Sequence, residues 1–123
     1  MNFKENKPIY IQIAEHIADE VLADTLKPDG RIPSVREYAV MVEVNANTVV
    51  RSYDYLQQNG VIYNRRGLGY FVAPDAKKLI IDIRRKKLLG DDLTEMMQQL
   101  ALLGVTPEEL CRIYTDFLDK KRH

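Results

Sequence analysis

Two short polar stretches, whose first residues lie 11 positions apart, carry most of the chemistry that this sequence offers. Ser34 and Glu37 have the spacing of a capping box, in which each side chain bonds to the backbone of the other at the start of a helix. Asn45 suits the N-cap of a second helix. Two capped helices joined by a tight turn predict a helix-turn-helix, a motif whose second helix turns its N-terminal residues toward base edges.

The predicted second helix opens with side chains that suit contacts with bases and phosphates. The amide of Asn47 can make two hydrogen bonds to adenine, and Thr48 can bind a phosphate or touch a thymine methyl group. Val50 can also touch a thymine methyl group, and Arg51 can donate to a base or a phosphate. We therefore predict DNA contacts by these four residues and by Arg36 of the preceding helix.

A structural explanation competes with several of these predicted contacts. Ser34 and Asn45 are explained by capping alone, although a capping residue can also contact a phosphate. Arg36 is followed by Glu37, so a local ion pair can take the place of a contact with DNA. All three remain in the predicted DNA-binding set, with Ser34 and Asn45 interpreted chiefly as caps.

A β-hairpin is predicted directly after the second helix, over residues 61–73. Apolar and aromatic residues lie on both sides of a Gly67-Leu-Gly tip, a pattern typical of a hairpin with a glycine-containing turn. Arg65 and Arg66 precede the tip. Because neighbouring residues of a strand point to opposite faces, we expect one of them to face DNA, and we favour Arg66, which is nearer the tip. A helix-turn-helix backed by a hairpin is a winged helix.

Composition restricts the class of protein further. The chain has 123 residues, 46% of them hydrophobic, which is typical of a small globular protein. No apolar run approaches the roughly 18 residues of a membrane helix, and the first eight residues lack the apolar core of a signal peptide, so we expect a cytoplasmic protein without a membrane partner. The net charge is zero, but residues 31–74 carry five arginines against three acids. This small excess falls on the predicted winged helix.

The sequence does not predict an enzyme. One cysteine and two histidines provide no metal-ligand spacing, and no Ser-His-Asp or Cys-His arrangement can be drawn. The glycines of the hairpin tip are not followed by the helix that a phosphate-binding loop requires. No metal site and no cofactor are predicted.

The predicted fold class is mainly α with a small β-hairpin wing, in two parts. Residues 1–73 form the winged helix-turn-helix, which begins with a helix from Pro8 to about Leu26. Residues 74–123 form a helical dimerisation segment, because the apolar faces of so short a tail lack partners within the chain. Gly90 leaves open whether the first tail helix is continuous or broken.

The predicted dimer interface consists of the apolar stripes of the tail helices. Its residues are Leu79, Ile80, Ile83, Leu93, Met96, Met97, Leu100, Leu103, Leu110, Ile113, Tyr114 and Phe117. Two modes of regulation stay open. A small apolar effector can bind between the subunits, or the protein can act without any effector.

Four sequence patterns together resemble the winged-helix domain of GntR-type bacterial transcription regulators, over residues 8 to about 73. The patterns are Ile32-Pro-Ser-Val-Arg-Glu, Val44-Asn-Ala-Asn-Thr-Val, Leu56 with Asn59-Gly-Val-Ile, and Arg65-Arg-Gly-Leu-Gly-Tyr-Phe-Val. The short helical tail resembles the YtrA-like branch of that family, whose members have a two-helix dimerisation segment.

The resemblance implies roles for particular residues. Arg36 matches a position that reaches DNA, Asn47 and Thr48 match contacts of the recognition helix, and Gly67 matches a wing-tip glycine whose backbone approaches DNA. Ala46, Val50 and Leu68 depart from the family, since basic residues are frequent at these positions. The base sequence that relatives recognise is therefore not carried over.

The resulting expectation is a homodimeric, sequence-specific regulator of transcription. Two-fold symmetry predicts an inverted-repeat operator in double-stranded DNA, with half-sites about one helical turn apart. Repression is favoured over activation. The alternative is a winged helix used as a protein-interaction module, which would need none of the polar chemistry of the second helix.

Overall fold

The computed structural model describes residues 6–122. The helices are α1 (Ile9–Leu22), α2 (Val35–Val42), α3 (Ala46–Gln58), α4 (Ala76–Lys87), α5 (Leu93–Leu102) and α6 (Pro107–Lys121), and the strands are β1 (Ile62–Arg65) and β2 (Gly69–Val72). The chain divides into a first unit that ends at Ile83 and a second that begins at Arg84. None of the described helices combines the length and the apolar character that a bilayer span requires.

Helix α1 is shorter than predicted. It ends at Leu22 rather than near Leu26, because Asp24 adopts a left-handed backbone with a φ of 61°. The amide of Leu26 then donates to the carbonyl of Glu20 at 3.1 Å. This turn brings Leu26 back to pack against the core instead of continuing the helix.

Both predicted caps of the helix-turn-helix are confirmed. At the start of α2, the Ser34 hydroxyl accepts from the amide of Glu37 at 3.1 Å, and the Glu37 carboxylate accepts from the amide of Ser34 at 3.2 Å. At the start of α3, Asn45 Oδ1 accepts from the amide of Asn47 at 2.8 Å. Glu43, with a left-handed φ of 55°, makes the turn between the two helices tight.

A single apolar core fills the first unit. Its centre includes Ile13 of α1 and Val49 and Tyr53 of α3, all fully buried. The hydroxyl of Tyr53 donates to the carbonyl of Pro33 at 2.6 Å and so fixes α3 to the segment that precedes α2. The other buried apolar residues are Ala14, Ile17, Ala18, Val21, Ile32, Tyr38, Ala39, Leu56, Val61, Ile62, Val72, Ala73, Ala76 and Ile80.

The wing is an antiparallel hairpin in which Ile62 lies opposite Val72 and Arg65 lies opposite Gly69. Arg31 adds an isolated bridge to Phe71, so the segment before α2 runs beside the hairpin. The predicted fold class, a mainly helical protein with a hairpin wing, is confirmed.

The first unit continues beyond the wing into α4. Ala76 and Ile80 are buried in its core, and Lys77 Nζ lies 3.0 Å from Asp24 Oδ2 in the turn after α1. The unit therefore extends to Ile83, although the sequence suggested a boundary after residue 73.

The second unit has no buried residue between Arg84 and Arg122. After α4 the chain passes through a kinked turn at Leu88–Asp92, where Gly90 leaves the helical region with a φ of −91° and a ψ of −114°. This break settles the question that the sequence left open, because α4 and α5 are separate helices.

Helix α6 begins with a side-chain cap and a proline in its first turn. The hydroxyl of Thr106 accepts from the amide of Glu109 at 3.2 Å, and Pro107 occupies the first turn, where a missing amide costs no hydrogen bond. Lys120 and Lys121 lie in the last turn, where positive charge is favourable beside the helix C-terminus.

Candidate nucleic-acid interface

The N-terminal half of α3 presents a polar, exposed face. Asn47, Val50 and Arg51 are exposed, and their spacing of three and four residues places them on one side of the helix. Thr48 is half-buried. Because Asn45 satisfies the amide of Asn47 through its side chain, the Asn47 side-chain amide is not needed for capping.

The guanidinium of Arg51 lies over the ring of Tyr10, with its central carbon 4.2 Å from the ring centroid. The guanidinium remains on the surface of α3, one turn after Asn47. Tyr10 was not among the predicted site residues. Only the packing of α1 against α3 brings its ring to Arg51.

Arg36 is exposed on α2, and the predicted competing ion pair with Glu37 is not formed within the described residues. Glu37 instead bonds to Ser34 and lies 3.9 Å from Arg31 Nη2. The backbone amide and then the hydroxyl of Ser34 hold the pKa of the Glu37 carboxyl below its usual range, and the charge of Arg31 adds to this shift. The Arg36 guanidinium is therefore available to an anion.

The two arginines of the wing lie in different surroundings. Arg65 lies over the rings of Tyr63 and Phe71, 5.8 and 5.7 Å from their centroids. Arg66 is exposed beside the tip, where Gly67 has a left-handed φ of 80° and no atom within 4 Å of the position that a Cβ would take. The tip thus offers one cation and an open stretch of backbone.

Tyr63 fixes the root of the wing. Its hydroxyl donates to Asp29 Oδ1 at 2.8 Å, and this hydrogen bond raises the pKa of Tyr63. Because Asp29 also donates its amide to the carbonyl of Val72 at 2.8 Å, the turn before α2 is bonded to both strands of the hairpin.

Arg31 is a second residue that the site prediction missed. Its Nη2 approaches Glu37 of α2, and its Nε lies 3.2 Å from the position of a Cβ on Gly69 of the wing. A Cβ at residue 69 would make a tight contact that this guanidinium could relieve by a shift of a few tenths of an ångström, so the glycine is required here for its φ of 113°. The signal that could have found Arg31 is its place among the five arginines of residues 31–74.

The sequence profile of a family of bacterial regulatory proteins, the gntR family, matches residues 9–72. The chain belongs to the GntR family. It is a winged helix-turn-helix, DNA-binding transcription regulator and not an enzyme. The predicted resemblance is confirmed.

Two Bacillus subtilis proteins of similar length support this assignment. The transcriptional regulator YhcF is 39% identical over 88% of this chain and 88% of its own length. The transcriptional repressor YtrA is 30% identical over 87% of this chain and 82% of its own. The chain is thus similar to the small regulators of the GntR family.

Solved structures support the same family assignment. A GntR-family protein from Bacteroides thetaiotaomicron has a TM-score of 0.84 at 46% identity, covering 93% of this chain and 99% of that one. The DNA-binding domain of AraR, solved in complex with an operator, has a TM-score of 0.54 at 27% identity, covering 59% of this chain and 88% of that domain.

Three of the predicted dimer-interface residues of this GntR protein lie in the first unit and the others lie in the second. Ile80 is buried in the core of the first unit and is therefore not available to a second chain, which corrects that prediction. Leu79 is half-buried and Ile83 is exposed. In the second unit Leu93 and Leu100 are half-buried, and the exposed members are Met96, Met97, Leu103, Leu110, Ile113, Tyr114 and Phe117.

Proposed function

We propose that this GntR regulator is a homodimer that binds an inverted-repeat operator and represses transcription in the cytoplasm. The observation that carries the proposal is the exposed face of α3, where Asn47 and Arg51 lie on one side of a capped helix whose other side is buried. Asn47 is free to pair with a base edge, and Arg51 reaches a phosphate. Arg36 and Arg66 supply further phosphate contacts from α2 and the wing.

The dimer is supported by the second unit. Tyr114 and Phe117 of α6 are 62% and 58% exposed, and Met96 of α5 is 58% exposed, although all three lie on apolar stripes. Large apolar side chains that stay exposed on a helical stripe mark an interaction site, and a two-fold dimer covers them most simply with the same stripes of a second copy. A two-fold dimer reads a two-fold operator, which is why we propose an inverted repeat.

Repression is the proposed sign of regulation. The B. subtilis relative YtrA is a transcriptional repressor, and a dimer seated on an operator excludes polymerase without needing an additional activating surface.

We propose further that regulation uses a small apolar effector bound by the second unit between the subunits. The exposed Met97 and Tyr114 provide the adaptable and aromatic surface that such a ligand contacts. A thermal-shift screen of metabolites tests this part alone. The expected result is stabilisation that depends on Tyr114, and the absence of any stabilising compound would favour regulation by the abundance of the protein.

Selection of bound duplexes from a random pool tests the function itself. The wild type should enrich an inverted repeat, and the double variant Asn47→Ala/Arg51→Ala should not. A matched control is Gln98→Ala/Arg112→Ala, which removes one amide and one guanidinium from exposed positions of α5 and α6. The control should enrich the same repeat as the wild type.

Two outcomes would contradict the proposal. Enrichment by the Asn47→Ala/Arg51→Ala variant equal to that of the wild type would remove α3 as the reading helix. Binding that does not weaken with salt would favour a protein-interaction module, because a protein that neutralises phosphates loses affinity with a log–log slope of about −0.9 for each one.

A further inference from the structure

Arg51 is exposed on α3, yet its side chain has a defined resting place in the free protein. The central carbon of its guanidinium lies over the ring of Tyr10, 4.2 Å from the centroid, and Arg51 forms no ion pair with any residue between 6 and 122. An exposed arginine normally samples many rotamers, and fixing one of them costs entropy. The contact with Tyr10 therefore restricts Arg51 before any DNA is present.

Tyr10 is itself fixed to α3 by two further contacts. Its ring meets the ring of Tyr55 edge-on, with centroids 6.3 Å apart and an interplanar angle of 76°. Its carbonyl accepts a hydrogen bond of 2.7 Å from the hydroxyl of Ser52, which is fully buried. Tyr10 thus contacts three residues within 51–55, so its ring cannot shift independently of the helix that carries Arg51.

The geometry of the stack leaves Arg51 able to bind. A guanidinium is planar, and its five N–H donors lie in the plane and point outward from its edge. The Tyr10 ring covers one side of the guanidinium, and because Arg51 is exposed, donors on its other side stay open to an anion. A phosphate, which accepts two parallel hydrogen bonds from one arginine, is the ligand that this orientation fits.

We propose that Tyr10 is a positioning residue for DNA binding, which holds the Arg51 guanidinium ready for a phosphate of the operator backbone. The inference rests on the proposed function and adds a residue of α1 that need not touch DNA. Arg66 at the wing tip provides the contrast, because it has no ring beneath it and forms no ion pair with any residue of the described chain.

Two substitutions at residue 10 distinguish the contribution of the aromatic face from those of the hydroxyl and of the side-chain volume. Tyr10→Phe keeps the aromatic face and should bind the selected operator within about twofold of the wild type. Tyr10→Leu keeps apolar bulk but removes the face, and the operator dissociation constant should rise about five- to tenfold. Thermal unfolding of both variants checks that the fold is retained.

A double-mutant cycle shows whether Tyr10 acts through Arg51. In an Arg51→Ala background, Tyr10→Leu should cost no further affinity. In an Arg66→Ala background, which serves as the matched control, Tyr10→Leu should keep its full cost because the two residues share no contact. A merely structural role for Tyr10 would give the same loss in both backgrounds, and that result would overturn the proposal.

NMR of the free protein provides a test that needs no DNA. The Arg51 Nε–Hε group should be more ordered than that of Arg66 and should lose this order in Tyr10→Leu. Equal mobility of the two arginines would overturn the proposal, and this measurement decides the matter if Tyr10→Leu fails to fold. If the wild type selects no duplex, the proposed function is wrong. If the wild type selects a duplex but binds it no better than Tyr10→Leu does, only the proposed role of Tyr10 is wrong.

Discussion

The winged helix and the C-terminal segment treat similar side chains in opposite ways. Tyr53 of α3 is completely buried and bonded through its hydroxyl, whereas Tyr114 of α6 is 62% exposed. Both tyrosines lie on the apolar stripe of a capped helix. The first unit closes its core within one chain, and the second leaves its apolar faces open.

This difference shows that amphipathic helices alone do not make a folded unit. In the first unit α1, α2 and the first strand of the hairpin pack against α3 from several directions. In the second unit two helices joined by a short turn bury no residue fully between Arg84 and Arg122. Since exposed apolar surface is unfavourable in water, this open face is the one that we propose a second copy of the chain to cover.

The largest expected effect is the difference in unfolding free energy between truncating the buried Tyr53 and truncating the exposed Tyr114. Tyr53→Ala should lower the free energy of unfolding of the first unit by about 3–5 kcal/mol, because it empties a large part of a closed core. Tyr114→Ala should change the same quantity by less than about 0.5 kcal/mol. Urea denaturation at a protein concentration below the dimer dissociation constant measures both changes. Equal losses for the two variants would contradict the contrast between the units.

A smaller effect, on dimer affinity, is expected from a charge placed on the exposed apolar face of α6. Phe117→Asp should raise the dimer dissociation constant by at least about 100-fold, because it places an unpaired carboxylate in a desolvated interface. Thr115→Asp adds the same charge to the opposite, polar side of α6 and should leave the dimer intact. Sedimentation equilibrium measures both. A wild type that is monomeric at micromolar concentration would end the interface argument.

The smallest effect distinguishes the two units through their helix caps. Ser34→Ala removes the capping box of α2 and should cost about 1 kcal/mol of the unfolding free energy of the first unit. Thr106→Ala removes the equivalent bond of α6 and should weaken the dimer by a similar amount, without affecting the first unit. Denaturation and sedimentation of both variants test this. A loss in the first unit from Thr106→Ala would show that the units unfold together.

Local features were predictable because their causes are local. The caps at Ser34 and Asn45 follow from residue types three or fewer positions apart, and the structure contains both. The wing followed from the apolar and aromatic residues on both sides of the Gly67-Leu-Gly tip. The end of α1 was misjudged, because the left-handed backbone of Asp24 serves the packing of Leu26 and no strong breaking residue announces it.

Contacts between distant segments were not predictable from one sequence. Periodicity identified Ile80 as apolar, but whether the first unit or a second chain covers it depends on how α4 packs. The approach of Arg31 to Gly69 joins residues 38 positions apart, and the stack of Arg51 on Tyr10 joins residues 41 apart. No local sequence pattern predicts either contact.

The sequence by itself determined the helices, their caps, the wing, the family and the polar face of α3, because each depends on short-range hydrogen bonding, on alternation or on a contiguous motif. Only the tertiary structure decided that Ile80 belongs to the core and that Arg31 and Arg51 each rest against a distant residue. The reason is physical: local propensity selects an element, but the free energy of a side chain's surroundings is set by the surfaces that packing brings to it.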